Sequence, residues 1–208
     1  MFHGLLDALL DHLKWPTAHI VGYSFGGSLT VGYTATRSSR VESFALIAPA
    51  GLIRLRSFAP EEQEHFRPGC DEVAARKFVI NWLEGGELVV PTDWKERLGR
   101  GEMVAQAVKE WQMREHPGHT ASVVAVVRDG GAMDNFDAFS RAVDTGIPSL
   151  VVLGEHDNLS SEEELREIGF KDVFVVPGAH HGVVREDVPD VAGFITGFWT
   201  KIQHLTGV

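Results

Sequence analysis

The sequence predicts an α/β fold: a parallel sheet with helices on both faces, plus a mainly helical insertion. Three observations lead to this prediction. Short apolar segments alternate with amphipathic helical patterns, as in parallel strands joined by crossover helices. A glycine-rich turn at residues 22–26 joins the first strand to a helix. Between about residues 52 and 120 the strand pattern fades and short amphipathic stretches replace it.

The chain starts with a predicted helix, strand and helix. Apolar residues recur at helical spacing over residues 2–13, and Pro16 ends this first helix. Residues 18–21 are typical of a short buried strand, and the helix after the turn extends to about Ser38. Residues 41–48 have an apolar second half, which favours a second parallel strand buried on both faces.

The predicted organisation has three parts. Residues 1–51 form the N-terminal part of a core domain, residues 52–120 the helical insertion, and residues 121–208 the C-terminal part of the core. Helices are expected at about 73–83 and 103–115 within the insertion. The remaining predicted elements are helices near 121–127 and 136–143, a strand at 148–153, a helix that begins with a capping box at Ser160 and Ser161 and ends at Gly169, a strand at 173–176 and a final helix from Pro189.

Composition restricts the partners and the compartment. The 208 residues carry a net charge of −10 with no basic stripe, which argues against nucleic-acid binding. The single cysteine, Cys70, excludes an internal disulfide framework and suits a reducing compartment. No apolar run is long enough to span a membrane and no signal peptide is visible, so we expect a cytoplasmic protein that does not bind membranes.

The turn Gly22-Tyr23-Ser24-Phe25-Gly26 is the most informative motif. It fits the pattern G-x-S-x-G, and its position between a strand and a helix makes this otherwise weak pattern specific. The turn is expected to strain the backbone of Ser24 and to require very small residues at Gly22 and Gly26. The serine hydroxyl then stands clear of the sheet as a candidate nucleophile.

A serine hydroxyl needs a base within hydrogen-bond reach, and the base needs an acid that orients it. The third predicted strand is followed by two acids, Glu155 and Asp157, and the fourth by two histidines, His180 and His181. An acid and a histidine thus follow Ser24 in the order that this architecture requires, each just past a strand. From position alone, either acid and either histidine could serve with Ser24 as the acid and the base.

The chain resembles the α/β-hydrolase family through three motifs: V-G-Y-S-F-G-G at the turn, L-G-E-H-D after the third strand, and P-G-A-H-H followed by E-D-V-P. This resemblance implies an α/β-hydrolase fold with Ser24 as nucleophile, Asp157 as acid and His181 as base. The resemblance also implies that the backbone N–H of Phe25 is one donor of the oxyanion hole. His180 is then a neighbour of the pocket or a solvent-facing residue. The same resemblance implies that residues 52–120 are the family's cap, which roofs the pocket.

The resemblance implies a serine hydrolase that cleaves a carboxylic ester, lactone or thioester of a small apolar substrate without a cofactor. Cleavage of C–C or peptide bonds uses the same three residues and stays open. Because the residue at the turn is serine and not aspartate, the family's epoxide hydrolases and dehalogenases are disfavoured. The alternative is a catalytically impaired chain that acts as a binding or interaction module. His116 and His119 have no third ligand, so no metal is expected.

The chain departs from the family ahead of the turn. The family has further strands there, and a loop among them supplies the second oxyanion donor. His3-Gly4 resembles that loop, but it lies inside a helical pattern and too close to Ser24. We therefore expect an N-terminally truncated fold with an open, apolar strand edge. The favoured explanation is a fragment of a longer enzyme; a homodimer through the edge and a degenerate, inactive member are the others.

Overall fold

The sheet is parallel, as predicted. In the computed structural model, which describes residues 2–84 and 87–206 but not the side chains of residues 84, 205 and 206, four strands pair in chain order. The register aligns Val21 with Ala45, Ile47 with Val152 and Gly154 with Val176. The strands are β1 (Ala18–Tyr23), β2 (Val41–Ile47), β3 (Ser149–Gly154) and β4 (Asp172–Val176).

Helices connect the strands and fill the region between β2 and β3. The helices before β3 are α1 (Phe2–Leu13), α2 (Phe25–Thr36), α3 (Pro60–Gln63), α4 (Glu72–Glu84), α5 (Trp94–Gly99), α6 (Ala105–Glu115), α7 (His119–Asp129) and α8 (Phe136–Asp144). Those after β3 are α9 (Glu162–Ile168), α10 (Val183–Glu186) and α11 (Val188–Thr206). Strand and helix therefore alternate along the chain except between β2 and β3, where a run of helices from α3 to α8 separates the two strands.

The chain divides into two compact units. The sheet unit comprises Met1–Arg54 and Gly131–Val208, and the helical unit comprises Leu55–Gly130. The helical unit includes all of α7 and ends at Gly130, ten residues beyond the predicted end of the insertion at residue 120. Whether this unit acts as a cap stays a prediction.

Alternating side chains of the central strands fill both faces of the sheet. On β2, Phe44 and Leu46 belong to one apolar cluster, whereas Ala45 and Ile47 belong to the other. The first cluster includes residues of α1, α2, α8 and α9, and the second includes residues of α10 and α11. Because β2 is buried on both faces, its consecutive residues are apolar, as is typical of a parallel strand.

The helical unit has a small core of its own. Ala75, Val79, Val104 and Val124 are almost completely buried in it. The ring of Phe58 contacts three other aromatic rings, and these belong to Phe66, Phe78 and Trp82.

β1 is an edge strand. Within the described residues it pairs with β2 alone, and Val21 on this edge is 46% exposed. The apolar stripe of α1 is also largely open, since Leu5 and Leu9 are more than half exposed while Leu10 is buried. The predicted apolar edge is present, and dimerisation through it stays a prediction.

Two local details differ from the expected elements. The cap of α9 is Ser161, whose Oγ accepts a hydrogen bond from the Glu164 N–H at 3.2 Å, whereas Ser160 is buried outside the cap. The four-residue helices α3 and α10 and the six-residue helix α5 were not predicted, because so few residues give no periodic signal.

No helix of the described chain is long and apolar enough to cross a membrane.

Candidate active site

Ser24 is the single residue between β1 and α2. Its backbone has φ 52° and ψ −122°. Residues other than glycine rarely adopt such a positive φ. The N–H of Ser24 donates to Ile47 O at 3.0 Å, and its own carbonyl accepts from the Gly27 and Ala50 N–H groups at 2.9 Å. These backbone bonds fix the turn against the end of β2, so the strained conformation is held from both sides.

The requirement for a very small residue is met differently from the prediction. A Cβ on Gly22 would lie 2.6 Å from the carbonyl carbon of Gly26 and closer still to its oxygen. A Cβ on Gly26 would meet nothing within 4 Å among the described residues, so the expectation for that position was wrong. The close contact falls instead on Gly27, where a Cβ would lie 2.6 Å from Pro49 Cβ.

His181 lies between Ser24 and Asp157. Its Nε2 is 3.0 Å from Ser24 Oγ and its Nδ1 is 3.1 Å from Asp157 Oδ2. A carboxylate can only accept, so Nδ1 carries the hydrogen and Nε2 of the neutral ring is free to accept from the serine hydroxyl. The side chain of His181 is one-third exposed, which leaves the imidazole within reach of a ligand.

Asp157 follows the end of β3 and its side chain is completely buried. Its Oδ1 accepts from the Leu159 N–H at 3.0 Å, while Oδ2 faces His181. A buried carboxylate with one oxygen tied to the backbone has little freedom to rotate. The other oxygen is therefore aimed at the imidazole.

The two competing residues lie elsewhere. Glu155 is exposed, and its Oε2 accepts from the Gly178 N–H at 2.7 Å. His180 is exposed, and its ring contacts that of His156 with centroids 5.2 Å apart. The structure thus brings Ser24, His181 and Asp157 together, and it does not bring Glu155 or His180 into this chain of hydrogen bonds.

Phe25 is the first residue of α2. The N–H groups of a first helical turn have no acceptor inside the helix, and the helix dipole makes this end electropositive. The Phe25 N–H is one residue beyond the serine, and its place in an oxyanion hole stays a prediction. His3, the residue that resembled an oxyanion loop, lies within α1 and its ring contacts Tyr33.

Tyr23 belongs to this site, although the sequence analysis assigns it no role. Its ring stacks on the imidazole of His181, with centroids 5.3 Å apart and planes at 26°. Its hydroxyl donates to the backbone carbonyl of His181 at 3.1 Å. Burial raises the pKa of the Tyr23 phenol; Arg185 opposes this shift, while the negative charges of Asp157 and Glu186 add to it. The variable position of the motif offers no signal for such a contact.

The parallel sheet, the helices on both faces and the serine turn define a class of protein. The model of the "Alpha/beta hydrolase family" matches residues 2–193. The chain belongs to the alpha/beta hydrolase family.

Known proteins similar to this chain include one from Pseudomonas putida, the dihydrolipoyllysine-residue acetyltransferase component of an acetoin cleaving system. It is 26% identical over 196 residues, which are 93% of this chain and 48% of that protein. The chain therefore spans about half the length of this curated relative.

Solved structures share the fold at low identity. One, from a study of carboxylesterases of Nitrososphaera gargenis, has a TM-score of 0.63 and 19% identity, with coverage of 98% of this chain and 72% of that one. Another is a variant of the meta-cleavage product hydrolase CumD from Pseudomonas fluorescens IP01, with a TM-score of 0.58 and 16% identity. That match covers 94% of this chain and 69% of the other.

Proposed function

We propose that the protein is a serine hydrolase in which Ser24 is the nucleophile, His181 the general base and Asp157 the acid that orients the base. One observation carries the proposal. The hydroxyl of Ser24, on a strained turn, is joined by His181 to a buried carboxylate through contacts of 3.0 and 3.1 Å. This order of groups matches the activation that a serine nucleophile requires.

In the first half of the reaction, Ser24 Oγ attacks the carbonyl carbon of the substrate while its proton passes to Nε2 of His181. The carbonyl oxygen becomes an oxyanion, which the Phe25 N–H at the start of α2 stabilises. The tetrahedral intermediate then collapses: the bond to the leaving oxygen or sulfur breaks, and His181 returns the proton to that atom. The product is an acyl ester on Ser24.

In the second half, water takes the place of the leaving group. His181 Nε2 accepts a proton from the water as its oxygen attacks the acyl carbon, and the same oxyanion forms again. Collapse releases the carboxylic acid and returns the proton to Ser24. Asp157 stays ionised throughout and stabilises the imidazolium in both halves, because it is held 3.1 Å from Nδ1.

The proposed substrates are carboxylic esters, lactones or thioesters with a small apolar acyl group. Two comparisons support acyl chemistry: one structural neighbour comes from a study of carboxylesterases, and the curated relative is named as an acetyltransferase component. The same acyl-enzyme could pass its acyl group to a thiol, which makes acyl transfer a second candidate. Adding a thiol acceptor to the assay and measuring the new thioester separates transfer from hydrolysis.

The test is covalent labelling with a fluorophosphonate, which reacts with activated serines, together with hydrolysis of 4-nitrophenyl butyrate. Labelling of Ser24 by mass spectrometry is expected. Ser24→Ala should remove labelling and lower kcat by about 10⁴-fold or more. Ser122→Ala changes an exposed serine of α7 and should leave both unchanged.

Two results would contradict the proposal. One is a folded protein that neither reacts with the fluorophosphonate nor hydrolyses the ester. The other is turnover that persists in Ser24→Ala. Binding of an apolar ester without turnover, unchanged by Ser24→Ala, would instead favour a binding module.

A further inference from the structure

Tyr23 is fixed against His181 through two different groups. Its hydroxyl holds the backbone carbonyl of His181 at 3.1 Å, and its ring lies against the imidazole at 5.3 Å with nearly parallel planes. Tyr23 ends β1 and immediately precedes Ser24. The residue that contacts the base therefore belongs to the same rigid turn as the nucleophile.

The geometry of His181 leaves one motion that hydrogen bonds alone do not restrain. The Nδ1–H and the Nε2 lone pair of an imidazole lie in the plane of its ring, and here they face Asp157 and Ser24. Rotation of the ring about the line through Ser24 Oγ and Asp157 Oδ2 leaves both distances unchanged, yet it changes the Cβ–Oγ–Nε2 angle at Ser24 and so moves Nε2 out of line with the serine O–H. A flat surface packed on one face of the imidazole opposes this rotation.

The same contact changes character during the reaction. When His181 takes the proton of Ser24, the imidazole becomes a cation on the face of an aromatic ring, which is an attractive arrangement. The charged groups that act on Tyr23 are Arg185, Asp157 and Glu186, and the Arg185 guanidinium lies 5.8 Å from the centre of the ring. Burial and the two carboxylates raise the pKa of the phenol, so the ring stays neutral and its hydroxyl stays a donor.

We propose that Tyr23 is a positioning residue whose ring holds the imidazole of His181 in line with Ser24 and stabilises the imidazolium that forms during acylation. This inference rests on the proposed function, since it assigns Tyr23 a role through His181. The ring carries the effect and the hydroxyl makes a smaller contribution through the backbone of the histidine loop.

The test compares Tyr23→Leu, which removes the ring, with Tyr23→Phe, which keeps it. Tyr23→Leu should lower kcat for 4-nitrophenyl butyrate by about ten- to a hundredfold, because a small misplacement of a catalytic group has this cost, with KM changed by less than about threefold. Tyr23→Phe should recover most of this loss. The rate of fluorophosphonate labelling should fall in parallel with kcat.

The control removes a stacked ring elsewhere in the sheet unit. Phe174 on β4 stacks on Phe194 with centroids 4.7 Å apart and planes at 25°, close to the geometry of Tyr23 on His181. Phe174→Leu should keep the wild-type kcat. All rates are divided by the folded fraction from circular dichroism, and Tyr23→Met is a second variant without a ring in case Tyr23→Leu does not fold.

Failure of the inference and failure of the proposed function give different results. If wild type neither hydrolyses the ester nor reacts with the fluorophosphonate, the proposed function fails first. If wild type is active and Tyr23→Leu keeps its kcat, the inference is wrong. It is equally wrong if Tyr23→Phe is as slow as Tyr23→Leu, if the change lies in KM alone, or if Phe174→Leu loses as much activity.

Discussion

The sheet unit and the helical unit differ in how they use backbone strain. Among the residues that the structure describes, four other than glycine have a positive φ, namely Lys14, Ser24, Ala48 and Asp134, and all of them belong to the sheet unit. In the described part of the helical unit only glycines, Gly69 and Gly101, have this conformation. The strained positions of the sheet unit include the proposed nucleophile and Ala48, in the loop that binds its carbonyl.

Both units expose large apolar side chains, for example Leu5 and Leu9 in the sheet unit and Val73 and Met103 in the helical unit. The helical unit also contains an apolar cavity of about 500 Å³ lined in part by Trp94 and Trp111. Many of its charged residues form exposed ion pairs on single helices or turns, such as Arg114 with Glu110. The contrast between the units therefore lies in the backbone: the sheet unit holds Ser24 in a strained conformation, whereas the positive φ angles described for the helical unit fall on glycines.

The largest expected effect comes from the acid of the sheet unit. Asp157→Asn should lower kcat by about 10⁴-fold, because an amide cannot hold the imidazole in the required tautomer or stabilise its charged form. Glu155→Gln is the matched control, since its carboxylate binds only the Gly178 N–H among the contacts described for it. Steady-state kinetics with 4-nitrophenyl butyrate measure both. A large loss in Glu155→Gln with normal rates in Asp157→Asn would reverse the assignment.

The next effect compares one glycine in each unit. Gly22→Ala places a Cβ against the backbone of Gly26, which should lower the free energy of unfolding by about 3 kcal/mol and displace Ser24. Gly99→Ala at the end of α5 meets nothing within 4 Å among the described residues and should raise stability by about 0.5 kcal/mol. Urea unfolding followed by circular dichroism gives both values. Equal effects at the two glycines would remove the contrast between the units.

Alkaline pH should affect the sheet unit through Tyr33. Burial raises its pKa to about 12, and the hydrogen bond that its hydroxyl donates to Asp7 adds to the shift. In the unfolded chain the tyrosine ionises near pH 10. Its contribution to the free energy of unfolding is therefore fully present below that pH and is lost as pH rises towards about 12.

The expected loss of unfolding free energy over this window is about 2 kcal/mol. Tyr33→Phe should flatten the decline between pH 10 and 12, although it weakens the protein at neutral pH by about 1 kcal/mol through the lost hydrogen bond. Both tyrosines, Tyr23 and Tyr33, lie in the sheet unit, so tyrosinate absorbance during the titration reports on that unit alone. An unchanged pH dependence in Tyr33→Phe would contradict this account.

The smallest effect is expected on the helical unit. Both carboxylate oxygens of Glu110 lie 2.7 Å from Arg114 Nη1, and about half of each side chain is exposed. Solvent screens such pairs, so Glu110→Gln should change the free energy of unfolding by less than about 0.5 kcal/mol. Unfolding in low and in 1 M salt measures the difference between the variants. A loss above about 1.5 kcal/mol would mean that the helical unit, too, depends on fixed charges.

The features of the fold that could be predicted from the sequence are those marked by residues close together in the chain or by the order of the elements. Periodicity predicted all four strands, and the motif predicted the turn at Ser24 because both depend on residues close in the chain. The parallel arrangement followed from the alternation of elements. The loop after the third strand offers both Asp157 and Glu155, and the family resemblance favoured Asp157. The folded chain adds the physical difference, because the Asp157 side chain is buried and Glu155 is exposed.

Other features depend on contacts between distant segments. The close approach at Gly27 arises from Pro49, which lies on the loop after the next strand. Tyr23 contacts a histidine far along the chain, and no local pattern marks that pair. Ser160 and Ser161 both fit a capping box, and burial of Ser160 leaves its neighbour as the cap.

The backbone of Ser24 gives these observations a consequence for engineering. At φ 52° and ψ −122° the backbone of a glycine would be less strained than that of the serine that is present. A thermostability screen that ignores turnover would therefore favour replacement of Ser24, the proposed nucleophile. Directed evolution of this chain therefore has to select for activity at every round. Otherwise the most thermostable variants will be ones that have lost the proposed activity.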